Sequence, residues 1–195
     1  MNQNVKNLTK IAILGAVAFV LMLFEFPLPI APVFYKLDLS EIAPLIGGFA
    51  MGPMAAFVIE AVKIILKLMF RGTTTAFVGE IANFLVGSCF AASAAYIYHL
   101  KKSKQSALVG MLVGTIVMAI AGALMNIFVL IPLYSSLYDL PIENIVKMGS
   151  AIFSSVNDVN SLVLFCVVPF NMIKGLLVSI ITFILYKSIS PILHS

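Results

Sequence analysis

Charge is what this sequence has least of. Only 10% of its 195 residues are charged, 12 Lys or Arg and 8 Asp or Glu. A soluble domain carries about 25%. Hydrophobic residues make up 62%, against about 45–50% in a soluble globule, and the mean hydropathy is +1.11. So few charges cannot cover that apolar surface in water, so the solvent around most of the chain is lipid. This excludes a soluble enzyme, a disordered chain and, despite a pI near 9.1, a nucleic-acid binder. Tryptophan is absent, which leaves interface anchoring to Tyr, Lys and Arg. Two isolated cysteines, Cys89 and Cys166, sit in apolar runs and suit packing better than a disulfide or a metal site. No GxxxxGK[ST] loop occurs, so energy from ATP has to come from another chain. HExxH, GxSxG and Asp-rich metal motifs are missing too, and His99 and His194 are far apart.

What is present is a series of six apolar segments. They span about Thr9 to Phe26, Leu39 to Met51, Pro53 to Phe70, Ala76 to Tyr98, Ala107 to Tyr134 and Leu162 to Tyr186. Six spans of roughly 20 residues fit the length. The predicted fold is an all-α membrane protein, a six-transmembrane-helix bundle in one domain over 1–195. Ala16-Val17-Ala18 resembles a leader cleavage site, but the apolar run continues to Phe26 and reads as a first span. Pro27, Pro29 and Pro32 stop that helix. Ser40 is a plausible N-cap for the second segment and Pro53 opens the third. The connection 135–161 holds Ile142, Ile145, Val146, Ile152 and Phe153, enough for a short amphipathic helix lying on the membrane. With both termini cytoplasmic, Lys6, Lys10, Lys101, Lys102, Lys104 and Lys187 lie inside, and only Lys36, Arg71 and Lys147 outside. The longer loops then face outward.

Polar groups inside spans each need a partner, a cavity or a reason. Asn171 and Lys174 share a helix face, roughly 14 and 18 Å inward from Leu162. Asn126 lies roughly 12 Å from Tyr134. Glu80 and Asn83 occupy the outer turns of the fourth segment. Interhelical hydrogen bonding accounts for any one of these. Their convergence at similar depth below long external loops points to a ligand cavity. Amides offer donors and acceptors, so the cavity suits a neutral, flat, hydrogen-bonding molecule, and Phe, Met and Leu walls suit a ring system. Glu60 with Lys63 reads as local charge compensation, and Lys67 as snorkelling outward. Asp38 and Glu41 flank the start of the second segment, where acids favour a helix N-terminus. Ala12 and Ala16, with Gly15 between, form a small-xxx-small face for close packing within the bundle or against a membrane partner.

Several stretches together resemble one family. They are Phe26-Pro-Leu-Pro, Lys36-Leu-Asp-Leu-Ser-Glu-Ile, Pro44-Leu-Ile-Gly-Gly-Phe, Gly79-Glu-Ile-Ala-Asn-Phe-Leu-Val-Gly, Met125-Asn-Ile-Phe-Val-Leu-Ile-Pro-Leu-Tyr and Pro169-Phe-Asn-Met-Ile-Lys-Gly. The family is that of the substrate-binding S components of energy-coupling factor transporters, and the riboflavin-specific type in particular. The resemblance implies a six-helix bundle in the bacterial cell membrane, with both termini cytoplasmic. It implies no enzyme activity and no cofactor, with riboflavin as transported ligand. It implies, as partners, a transmembrane coupling protein and two ATPase subunits, the former touching Ala12 and Ala16. The positions that match vitamin-binding ones are Asn126, Asn171 and Lys174, then Leu37 and Asp38 in the first loop, and Ala76, Gly79 and Asn83 by the fourth helix. The alternatives are the same fold with thiamine or biotin, a structural membrane protein, and an intramembrane enzyme using Glu80 with Lys174.

Overall fold

The structure is a computed structural model that describes residues 3–194, with side chains over 4–185. The side chains of Lys187 and His194 therefore lie outside the described residues. Seven continuous helices form among the described residues. They are α1 (Gln3–Met22), α2 (Ile42–Met51), α3 (Pro53–Arg71), α4 (Val78–Leu100), α5 (Lys104–Leu137), α6 (Ile142–Ser150) and α7, which starts at Val159 and ends in the stretch Val168–His194. Of these, α6 is the amphipathic helix expected within the connection 135–161. Four helices are long and apolar enough to cross a membrane: α1, α4, α5 and α7. By contrast, α2 is only 10 residues long and α3 carries Glu60, Lys63 and Lys67.

α1 ends at Met22, before the expected Phe26 and ahead of the first proline, and Pro27 instead sits in a small antiparallel hairpin that the sequence did not announce. It consists of β1 (Phe26–Pro27) and β2 (Lys36–Leu37), with Phe26 opposite Leu37 and Pro27 opposite Lys36. The chain then dives into the bundle as irregular backbone, and α2 begins only after Leu37, Asp38, Ser40 and Glu41 are already buried. Part of the path into the bundle is thus covered by loop, which is why α2 is short. Such backbone is tolerated at depth only when protein surrounds it.

α4 and α5 pack most extensively. Their approach rests on Gly110 and Gly114, one helical turn apart. A Cβ at Gly110 would lie 2.6 Å from the Ala94 carbonyl oxygen, and one at Gly114 2.8 Å from that of Phe90. Only glycine permits this contact. The opposite stripe of α5, Leu108, Leu112, Ile116, Ile120 and Leu124, is exposed. Apolar side chains thus face outward as well as inward, as lipid requires. Gly15 on α1 is buried against Val62, whereas Ala12 and Ala16 point away from the bundle. The two cysteines are free; Cys166 is in the core and Cys89 is exposed on the bundle surface.

Two large apolar cores divide the interior, with a small third cluster of Val78, Ala82 and Leu130 beside them. One joins α2, α4, the first half of α5 and Val178 of α7. The other joins the first loop, Ile131, Ile145 of α6 and the first turns of α7. Along α5 and α7 the residues between these cores are Gly122, Asn126, Asn171 and Lys174. A polar layer therefore separates them.

Candidate ligand site

The polar layer opens into two adjoining chambers. The inner one, about 150 Å³, is walled by Tyr35, Glu41, Asn83, Gly87, Asn126, Phe170, Asn171 and Lys174, among others. The outer one, about 450 Å³, is walled by Glu25, Asp38, Lys67, Arg71, Thr75 and Glu80, among others. Both share Phe34, Lys36, Gly79, Asn83 and Tyr134, so they form one path.

The two deep asparagines are held in the same way. Asn126 Nδ2 donates to the Gly122 carbonyl at 2.8 Å, and Asn171 Nδ2 to that of Val167 at 2.9 Å. Each amide is thereby fixed to its own helix four residues back, a habit of short polar side chains in helices. This leaves one N–H and the Oδ1 of each amide for other partners. Asn126 Oδ1 accepts from the Tyr35 hydroxyl. A Cβ at Gly122 would fall 2.6 Å from Asn171 Nδ2, so the glycine makes room for that amide. Asn83 Oδ1 is buried without a hydrogen-bond partner. An unpaired buried acceptor is costly and suits a ligand donor.

Lys174 is anchored by two carboxylates of the first loop, Asp38 Oδ2 and Glu41 Oε1, both at 3.0 Å. Its ammonium has a third N–H left over. Behind it, Glu41 meets Lys63 at 3.4 Å, and Lys63 meets Glu60 at 2.6 Å and the Ser40 hydroxyl at 3.1 Å. Five buried charges thus tie the first loop to α3 and α7. Burial opposes ionisation of Asp38, but Lys174 and Lys63, with Ser40, outweigh it and hold its carboxyl below the ordinary value. Burial pushes the Tyr35 hydroxyl well above its ordinary value, so it stays a neutral donor.

Aromatic rings line the entrance. Tyr35 packs against Phe34 (4.5 Å between centroids) and Phe170 (5.8 Å), and Phe34 against Tyr134 (6.1 Å).

Of the residues singled out from sequence, Asn83, Asn126, Asn171, Lys174 and Gly79 line the inner chamber and Asp38 lines the outer one. Leu37 is buried in the apolar core and lines neither chamber. Ala76 is exposed in a loop of left-handed backbone (φ 48°, followed by Phe77 at 68°) and also lines neither; α4 starts after it, at Val78. Three expected local roles are different in the structure. Ser40 does not cap α2; its backbone N–H donates to Asp38 and its hydroxyl receives Lys63. Asp38 and Glu41 bind lysines; Glu41 stands at the N-cap of α2, but its carboxylate makes no capping hydrogen bond. Lys67 does not snorkel outward but pairs with Glu80, which also accepts from Thr73 at 3.1 Å and Thr75 at 2.6 Å. Glu80 is thus occupied apart from Lys174, against their joint use as a catalytic pair. Tyr35, Phe34, Tyr134 and Phe170 were missed. The aromatic run Phe34-Tyr35 beside the Lys36-Leu-Asp stretch hinted at the first two, and Tyr134 and Phe170 lie within the Met125 and Pro169 stretches of the family resemblance.

Residues 6–186 match the family described as "ECF transporter, substrate-specific component". The chain is 35% identical over 193 residues to the "Riboflavin transporter RibU" of Staphylococcus aureus (strain TCH60), covering 99% of this chain and 94% of that one. It is 29% identical to the "Riboflavin transporter FmnP" of Bacillus subtilis (strain 168), covering 96% and 93%. A solved structure described as "Structure and mechanism of the S component of a bacterial ECF transporter" superposes with a TM-score of 0.76 at 35% identity, covering 99% of this chain and all of that one.

Proposed function

This chain belongs to the substrate-specific components of ECF transporters, and from that premise we propose that it is the riboflavin-binding subunit of such an importer. The observation that carries the proposal is the convergence of Asn126, Asn171 and Lys174 on one chamber rimmed by aromatic rings. A flavin has a flat ring system with carbonyls and an N–H along one edge. Asparagine amides match both kinds of group, and the spare N–H of Lys174 can donate to a carbonyl or a ribityl oxygen. Phe34, Tyr134 and Phe170 offer ring faces to the rest of the molecule. Asp38 and Glu41 hold the Lys174 ammonium in place, and Gly79 and Asn83 form the opposite wall. Leu37 anchors the first loop beneath the ligand.

No covalent step is involved. Binding selects and encloses the vitamin, and release requires the partner complex. We assign α1 to α5 and α7 as the six membrane segments, with α6 lying on the outer surface and both termini cytoplasmic; the excess of lysines on that side supports this. The whole chain, 1–195, then acts as one transmembrane binding domain. The exposed Ala12 and Ala16 present a small-residue face for a transmembrane coupling protein, which two ATPases would drive.

The test is titration of riboflavin with detergent-purified protein, following flavin fluorescence, with thiamine and biotin in parallel. Saturable quenching at one site per chain, absent with the other two, is expected. Binding of thiamine or biotin in its place would keep the transporter and discard riboflavin.

A further inference from the structure

The inner chamber measures about 150 Å³, whereas pockets for ligands of this size run to about 300–1,000 Å³. A three-ring molecule seated against Asn126 and Asn171 would have to extend into the adjoining outer chamber, past the shared residues Phe34, Lys36 and Tyr134, or push part of the inner wall aside. Most of that wall is helical. The exceptions are Glu41, just before α2, and the stretch Phe34-Tyr35-Lys36, which comes from the end of the hairpin loop and the first residue of β2. That hairpin has two residues per strand and an exposed Lys36–Glu25 ion pair at 2.7 Å. Such pairs contribute little. Immediately afterwards the chain is pinned, by buried Leu37 and by Asp38 on Lys174. A hinge between Lys36 and Leu37 would free the one while keeping the other.

Tyr35 is the residue this hinge would move. Its hydroxyl donates to Asn126 Oδ1, one of the acceptors in the chamber suited to a flavin N–H, and its ring lies against Phe170. We infer that Tyr35 is an internal stand-in for the ligand, occupying the Asn126 acceptor and the Phe170 ring face until an incoming flavin displaces it. This rests on the riboflavin reading above. The chemistry is an exchange of one neutral hydrogen bond for another, and of one aromatic contact for another. Its consequence is that Tyr35 acts through the unbound protein. Removing its hydroxyl leaves the bound state unchanged and destabilises only the state that competes with it.

The experiment compares wild type with Tyr35→Phe by flavin quenching, using riboflavin and lumiflavin, which has the same ring without the ribityl chain. Thermal unfolding checks that the variant folds. The expected result is tighter binding in Tyr35→Phe by about two- to tenfold, the worth of one neutral hydrogen bond. The factor should be the same for both flavins, because only the unbound protein has changed. In an Asn126→Ala background the gain should vanish. Tyr35→Leu, which also lacks the hydroxyl, should bind at least as tightly as wild type if Tyr35→Phe proves unstable. Weaker or unchanged binding in these variants, with wild type binding normally, overturns the inference and leaves the riboflavin reading standing. Absence of riboflavin binding by wild type overturns both.

Discussion

Lys63 sits at the centre of the buried charge cluster, and its replacement by methionine gives a sharp test of how that cluster is held. The side chain is fully buried, 2.6 Å from Glu60, 3.4 Å from Glu41 and 3.1 Å from the Ser40 hydroxyl. Asp38, Glu41 and Glu60 supply three negative charges, and Lys63 and Lys174 two positive ones, a formal −1. Lys63→Met keeps the volume but takes the cluster to −2, with Glu60 deprived of its cation. Glu60 has no other hydrogen-bond donor to fall back on. Breaking a buried pair from one side costs about 3–5 kcal/mol. At about 2–4 °C per kcal/mol for a chain of this size, the melting temperature should fall by about 6–20 °C. Buried Cys166 provides the readout, through its labelling by a thiol dye on unfolding, with exposed Cys89 as a constant background. The double variant Glu60→Gln/Lys63→Met returns the formal charge to −1 and should recover a good part of the loss. A shift below about 2 °C for Lys63→Met, or a double variant less stable than either single one, would refute the reasoning.

Three further outcomes are expected. Gly122→Ala places a methyl 2.6 Å from Asn171 Nδ2 and must displace that amide; riboflavin binding should weaken by about five- to hundredfold on the worth of a misplaced buried hydrogen bond, measured by flavin quenching. Because Lys174 and Lys63 lower the folded-state pKa of Asp38 against the effect of burial, its unfolded form takes up a proton first as pH falls. Its stabilisation is therefore complete above about pH 3.9 and disappears as pH drops through the lower folded value; the acid limb of a melting-temperature profile should flatten in Asp38→Asn. Ala16→Trp fills the exposed small-residue face of α1 and should leave riboflavin binding intact while abolishing copurification with the coupling proteins.

How much of this was legible follows from which residues speak locally. Helix positions were readable because apolar runs and prolines mark them. Asn126, Asn171 and Lys174 stood out because polar groups in apolar spans are costly wherever they lie. The partners of the charges were not readable. Asp38 and Lys174 are 136 positions apart, and an acid just before a helix looks the same whether it caps that helix or meets a distant lysine. Lys67 likewise met Glu80 across the turn between α3 and α4. Tyr35 was invisible because an aromatic residue in an external loop looks like an interface anchor until its hydroxyl is seen on Asn126.

The two asparagines also owe their placement to a device that periodicity hides. α5 widens into a π turn at Asn126–Leu130, and α7 into another at Val163–Val167. Each ends two residues before a proline, Pro132 or Pro169. A proline inside a helix has no N–H for the carbonyl four residues back and its ring collides with that carbonyl. The carbonyls concerned belong to Phe128 and Phe165, within the two π turns. A helix that widens there relieves the collision without breaking, a feature common at functional sites. Asn126 opens the first π turn and Asn171 anchors its amide to Val167, the last residue of the second. The π turns touch each other across the bundle. The prolines that look like obstacles to two spans therefore sit beside the place where both helices deviate from regular pitch, which is where the chamber lies.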